Sequence, residues 1–159
     1  MAVNVYQQRA KDVMVKETVY VFADDSLDEA LALMVENRVS ALPVVDGHQR
    51  CIGFISATDL LNLTREFGDE LNALAHVGGL AHTLLTEKLS TSGLLNRRVQ
   101  ELMTETVVSI GPDDTLIHAA TEMVRSRVHR LAVVDRQRRL RGILSTMDIL
   151  DAFANSSEN

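Results

Sequence analysis

The stretch Gly53-Phe54-Ile55-Ser56-Ala57-Thr58-Asp59 decides the fold, because it returns 89 residues later as Gly142-Ile143-Leu144-Ser145-Thr146-Met147-Asp148. Each copy runs from a glycine through an apolar pair into hydroxyl residues and an aspartate, and an apolar helical segment follows at once. The pattern is that of a strand ending where a helix begins. Free backbone N–H groups and the positive end of the helix dipole favour an anion at such a junction, and Ser, Thr and Asp can bind hydroxyls or phosphate oxygens. The helices are expected to start at Thr58-Asp59 and at Met147-Asp148.

Working outward, a shift of 89 residues aligns Arg9–Leu61 with Arg98–Leu150 without a gap and gives 20 identities in 53 positions, which marks an internal duplication. Both copies read as strand, helix, strand, strand, helix. The first strands fall in the β-branched stretches Thr18–Phe22 and Thr106–Ile110. In the helix after the first of these, Ser26 and Glu29 have capping-box spacing, and Leu27, Ala30, Leu31, Met34 and Val35 share a face. Leu116, Ala119, Ala120, Met123 and Val124 repeat that face, with His118 in place of the capping Glu. Ala41–Asp46 with Cys51–Ile55, and Leu131–Asp135 with Leu140–Leu144, read as hairpins. The acidic pairs Asp24-Asp25 and Asp113-Asp114 precede helices and read as caps rather than as a metal site.

The chain therefore divides into an N-terminal arm (1–8), a first repeat (9–65), a helical connector (66–97), a second repeat (98–154) and a disordered tail (155–159). In the connector, Leu71, Leu74, Ala75 and then Leu80, Leu84, Leu85 suggest short helices broken at Gly78-Gly79. One repeat of about fifty residues leaves too much apolar surface uncovered, so the fold class is α/β (α+β), with two β-α-β-β-α repeats packed about a pseudo-twofold axis.

Composition narrows the function. In 159 residues, 46% hydrophobic and 24% charged, no apolar run approaches the roughly 18 residues of a membrane span, and the polar N-terminus does not read as a secretory signal. The expectation is a cytoplasmic protein with no membrane partner. The lone Cys51 forms no internal disulfide and no Cys or His cluster has zinc spacing, so no metal is expected. A net charge of −6 argues against a general grip on nucleic acid. Arg136, Arg138, Arg139 and Arg141 at the second hairpin turn read as a solvated face.

A hairpin turning near Gln137 puts His129 and Arg130 beside Ser145 and the helix start at Met147-Asp148. A fixed cation, an imidazole, hydroxyls and a helix N-terminus then share one end of a small sheet, where an anion can be held. The matching first-repeat positions, Ser40 and Ala41, are small and neutral and leave room for a flat apolar group.

The two glycine-to-aspartate motifs, together with Val39-Ser40-Ala41-Leu42-Pro43-Val44-Val45-Asp46 and Val128-His129-Arg130-Leu131-Ala132-Val133-Val134-Asp135, resemble the CBS domains, a family named from cystathionine β-synthase. They are very similar to the nucleotide-binding repeats of the AMP-activated protein kinase regulatory subunit. The resemblance implies a tandem pair, or Bateman-type module, with two related clefts, each built from both repeats. In the first, Asp59 would hold the ribose hydroxyls, Ser56 and Thr58 would face ribose or phosphate, Val108 and Val128 would flank the base, and His129 and Arg130 would reach the phosphates. In the second, Asp148 would take the ribose, Ser145 a polar contact, and Val19, Val39, Ser40 and Ala41 the base. Met147 replaces the usual hydroxyl residue and Ala41 a possible cation there, so the first cleft is the better equipped. By residue chemistry alone, the more common role of an Asp at either place is to cap the helix.

The expected function is regulatory: binding of an adenosine-containing ligand (AMP, ADP or ATP), no catalysis, a homodimer, and a regulated partner that the sequence does not name. A ligand-free dimerisation or scaffold module is the rival reading. Catalytic residues are not expected, since no phosphate-binding glycine loop and no nucleophile with a placed base occurs.

Overall fold

The computed structural model describes residues 4–65 and 93–156. The short helices expected within 66–92 lie outside the described residues. By packing, the chain forms two units. One comprises residues 4–18, 45–52 and 106–156, and the other residues 19–44, 53–65 and 93–105.

In the first of these units, β4 (Ser109–Ile110) runs parallel to β5 (Arg130–Val134), which pairs antiparallel with β6 (Leu140–Ser145). Helix α4 (Leu116–Ser126) follows β4 and helix α5 (Thr146–Ser156) follows β6. β5 carries a continuous apolar run, Leu131 to Val134, whose first three residues are buried, and apolar residues recur at helical spacing on α4 to give it one oily face. Leu116, Ala119, Leu131, Val133 and Leu144 are fully buried there, with Ile110, Met123 and Ile149 at the edge. Truncating a buried leucine of this set to alanine costs about 2–5 kcal/mol.

The other repeat has the same elements. Its sheet has the order β1 (Val21–Phe22), β2 (Ala41–Val45), β3 (Cys51–Ser56), with helices α2 (Leu27–Asn37) and α3 (Ala57–Arg65), and all of these residues except Val45, Cys51 and Ile52 fall in the second unit. Helix α2 starts at the expected capping box: the Ser26 N–H donates to Glu29 Oε2 at 2.8 Å and the Glu29 N–H donates to Ser26 Oγ at 3.1 Å. In α4 only half the box remains, the His118 N–H donating to Thr115 Oγ1 at 3.2 Å. Both helices end on an arginine in the left-handed region, Arg38 and Arg127, each at φ 54°.

Three expectations are corrected. The stretches Thr18–Phe22 and Thr106–Ile110 yield strands of two residues each. In the second repeat the reason is visible in the register. Ser109 lies opposite Ala132 and β5 begins at Arg130, so Thr106 runs past its end, and Val108 keeps one bond to β5, accepting from the Ala132 N–H at 3.2 Å. The acidic pairs do not cap the helices, because Ser26 and Thr115 occupy the cap positions. Asp25 Oδ2 instead accepts from the Phe22 N–H at 2.8 Å and Asp114 Oδ2 from the Gly111 N–H at 2.7 Å, closing the strand-to-helix turns. Helix α5 runs through Ser156, two residues into the segment read as a tail.

Each repeat is also strapped by a segment that the sequence alignment assigns to the other. Residues 4–15, including helix α1 (Ala10–Val13), lie along the second repeat. The Ala10 N–H donates to Asp114 O at 2.8 Å, Lys11 to Pro112 O at 2.9 Å, and Val15 exchanges bonds with Ile143 at 2.9 and 3.1 Å. Residues 94–104 do the same to the first repeat. Leu27 donates to Arg97 O at 2.9 Å, Val99 to Asp25 O at 2.9 Å, and Phe54 exchanges bonds with Thr104 at 3.0 and 2.8 Å. Matching ion pairs pin the straps, Lys11 to Asp113 at 2.6 Å and Arg98 to Asp24 at 2.8 Å.

Candidate ligand corners

The straps explain the glycine that opens each motif. A Cβ on Gly53 would lie 2.8 Å from Thr104 O, and one on Gly142 would lie 2.7 Å from both Val15 O and Met14 Sδ. A side chain at either place would push the strap off the strand.

Beyond the glycine, strand passes into helix at a serine. The helices begin at Ala57 and Thr146, one residue before the expected starts. Ser56 and Ser145 are thereby the N-caps, and Asp59 and Asp148 the third helical residues. Each pair closes a reciprocal capping arrangement. The Asp59 N–H donates to Ser56 Oγ at 3.2 Å, while the Ser56 N–H and Oγ donate to Asp59 Oδ2 at 2.7 and 2.8 Å. At the other corner the corresponding distances are 3.2, 2.7 and 2.6 Å. Both aspartates therefore serve as capping partners. Their second oxygen, Oδ1, accepts no hydrogen bond among the described residues. A half-buried carboxylate oxygen, oriented by its cap and set over a helix N-terminus, is an acceptor for a hydroxyl group.

Around the second corner the hairpin geometry is as expected. Arg130 pairs with Ser145 across β5 and β6. The main-chain oxygen of His129 accepts from the Thr146 N–H at 3.0 Å and from Thr146 Oγ1 at 3.3 Å. The sequence reading missed that hydroxyl contact; its signal is Thr146 standing where the first motif has Ala57. His129 and Arg130 are exposed at the strand start, and Val108 and Val128 are half-buried against the core of this unit. These four residues, Ser145 and Asp148 thus belong to one unit.

The first corner belongs to the other unit, with Val19, Val39, Ser40, Ala41, Ser56, Thr58 and Asp59. The Ala57 N–H donates to Ser40 O at 2.9 Å, so β2 starts beside the helix N-terminus here too. Val39, Ser40 and Thr58 are exposed, and Val19 and Ala41 half-buried. Met147 stands 70% exposed, so the departure from the hydroxyl pattern leaves an apolar side chain in solvent at the second corner. Among the described residues no three His, Cys, Asp or Glu side chains group as a metal site, and no helix is long and apolar enough to cross a membrane.

Two β-α-β-β-α repeats, each turning from strand into helix through a Ser-x-x-Asp corner, define a class of paired α/β domains. The family model for the CBS domain matches residues 10–66 and 99–155, so the chain belongs to the CBS-domain family, as a tandem pair. It is similar to an uncharacterized protein of Methanocaldococcus jannaschii, 29% identical over 151 residues, covering 90% of this chain and 89% of that one. It is also similar to the gamma-3 subunit of 5'-AMP-activated protein kinase from Bos taurus, 32% identical over 127 residues, or 80% of this chain but 22% of the subunit. Among solved structures, CBSX2, a protein known from Arabidopsis thaliana, in complex with AMP superposes with a TM-score of 0.71 at 26% identity, covering 94% of this chain and 98% of that one.

Proposed function

We propose that this chain is a regulatory module that binds an adenosine-containing ligand, AMP, ADP or ATP, and acts by changing conformation or its affinity for a partner protein. The observation that carries the reading is the duplicated Ser-x-x-Asp corner, whose aspartate keeps one oriented oxygen without a hydrogen bond among the described residues. The AMP complex of the related CBSX2 supports the class of ligand. In this reading Asp59 and Asp148 accept from ribose hydroxyls, and Ser56, Thr58 and Ser145 supply polar contacts. Val108 and Val128, and likewise Val19, Val39, Ser40 and Ala41, offer surface to a base, while His129 and Arg130 meet phosphate charge.

Regulation then follows from differential affinity. A ligand that binds two arrangements of the repeats equally shifts neither. The reading includes no catalytic step, and places the module in the cytoplasm as a homodimer with a regulated protein still to be found. The test is isothermal titration of nucleotide-free protein with AMP, ADP, ATP and S-adenosylmethionine. Saturable heat with at least one of them, at a fixed stoichiometry per chain, is expected.

One observation favours the scaffold reading as the second choice: both aspartates already have a complete structural role as capping partners. Folded protein giving no heat and no thermal shift with any of the four ligands would replace the sensor with a ligand-free dimerisation module.

A further inference from the structure

The hairpin turns lie at the end of each hairpin away from the ligand corners. In the second hairpin about five residues of strand, at about 3.3 Å each, separate the Arg130–Ser145 pair from the turn. The two turns, 46–50 and 135–139, fall in the same packing unit and are joined to each other. Arg50 bridges Arg139, the Cys51 N–H donates to Arg138 O at 3.3 Å, and the Leu140 N–H donates to Gln49 O at 2.9 Å. The result is one continuous ridge rather than two independent tips.

The ridge carries Arg50, Arg136, Arg138, Arg139 and Arg141 against two carboxylates, Asp46 and Asp135. Those carboxylates face inward. Asp46 Oδ1 accepts from the His48 and Arg50 N–H groups at 2.8 and 3.0 Å, and its Oδ2 from Arg50 Nε at 2.7 Å. Asp135 Oδ1 accepts from the Gln137 and Arg139 N–H groups, both at 2.9 Å, and its Oδ2 from Arg139 Nε at 2.9 Å and Arg141 Nε at 3.1 Å. The aspartates therefore brace three guanidinium groups and occupy only part of their donors, since each guanidinium has five. Arg136 and Arg138 make no side-chain hydrogen bond or ion pair among the described residues. All five arginines are exposed.

This local excess of three positive charges sits on a chain whose formal net charge is −6, so the remainder carries −9. A long polyanion would gain at the ridge and be repelled along the rest, and the ridge has no Phe, Tyr or Trp side chain on which bases could stack, His48 being its one aromatic ring. A compact cluster of carboxylates fits better, because braced guanidinium forks bind carboxylates two bonds at a time. We propose that the hairpin ridge is a docking surface for an acidic segment of a partner protein.

The test uses the full chain and a fluorescein-labelled decaglutamate peptide, with a labelled oligo-dT of about twenty nucleotides as competitor class, at about 50 mM and about 200 mM salt. The variant is Arg136→Gln with Arg138→Gln. Arg138 has φ 63°, and Gln49, its equivalent in the first turn, already holds φ 61°, so glutamine is compatible with that backbone. Expected are saturable peptide binding that weakens with salt, about a tenfold loss in the double variant, and an unchanged AMP titration. No peptide binding by the wild type, or equal binding by the double variant, overturns the proposal. Tighter binding of oligo-dT than of the peptide overturns it in favour of a nucleic-acid surface.

Discussion

Replacing Asp59 separates the two duties of its carboxylate. Oδ2 holds the helix cap through the Ser56 N–H at 2.7 Å and Ser56 Oγ at 2.8 Å, while Oδ1 is the proposed ribose acceptor. Asp59→Asn leaves one carbonyl oxygen that can turn to Ser56 and keep the cap, but presents a neutral NH2 donor where the charged acceptor stood. Asp59→Ala removes both. A lost capping interaction of this kind costs about 1–2 kcal/mol. For a domain of this size each kcal/mol moves the melting temperature by about 2–4 °C, so Asp59→Ala should melt about 2–8 °C lower and Asp59→Asn by less than half of that. Hydrogen bonds to a charged group are worth about 1.5–3 kcal/mol, so both variants should lose about tenfold or more in AMP affinity. Differential scanning calorimetry and isothermal titration on the three proteins read the two effects separately. An Asp59→Asn protein that binds AMP as tightly as wild type refutes the ribose assignment. An Asp59→Ala protein with unchanged melting refutes the capping argument.

Three further outcomes follow from the geometry. Arg130→Ala should weaken binding in proportion to ligand charge, with ATP hurt more than AMP and adenosine almost unaffected; equal losses measured by titration across the three would assign Arg130 to packing. Gly142→Ala places a Cβ 2.7 Å from Val15 O, so the strap must move, at about 1–3 kcal/mol. Faster amide exchange at Ile143 and Val15 is the signature, and unchanged exchange would show that the strap yields without cost. Burial raises the Asp135 carboxyl, but the Arg139 main-chain and side-chain donors, Gln137 and Arg141 outweigh it and hold its pKa below the ordinary 3.8. The stabilisation it gives is complete above that value and lost as the pH falls through the folded-state value. Asp135→Asn should therefore melt below wild type at neutral pH, with the gap closing in strong acid. A gap that persists there would place the contribution elsewhere.

The class of the protein was legible because its determinants are local or duplicated. The capping box at Ser26 and Glu29, the apolar face of α2 and the hairpin that sets Arg130 opposite Ser145 each depend on residues within about fifteen positions of one another. The 89-residue shift then ties the two copies together. Local patterns failed where two polar residues compete for one duty. Asp25 and Ser26 both precede a helix with side chains suited to capping; the spacing to Glu29 marks Ser26 as a cap, and only the backbone path shows that Asp25 does not share that duty but closes the turn.

The sequence by itself determined the repeat, the order of its elements and the residue types at both corners. Tertiary structure alone decided that residues 4–15 strap the second repeat and residues 94–104 the first. Those attachments run through main-chain bonds such as Ala10 to Asp114 and Val99 to Asp25, and main-chain N–H and C=O groups are alike in every residue. Their one mark in the sequence is a pair of glycines, and a glycine does not say which backbone will come to lie against it. The tertiary fold likewise gave Asp59 and Asp148 their double character. One oxygen is committed to the cap and the other is left at the helix N-terminus, because both donors of the serine three residues earlier converge on Oδ2.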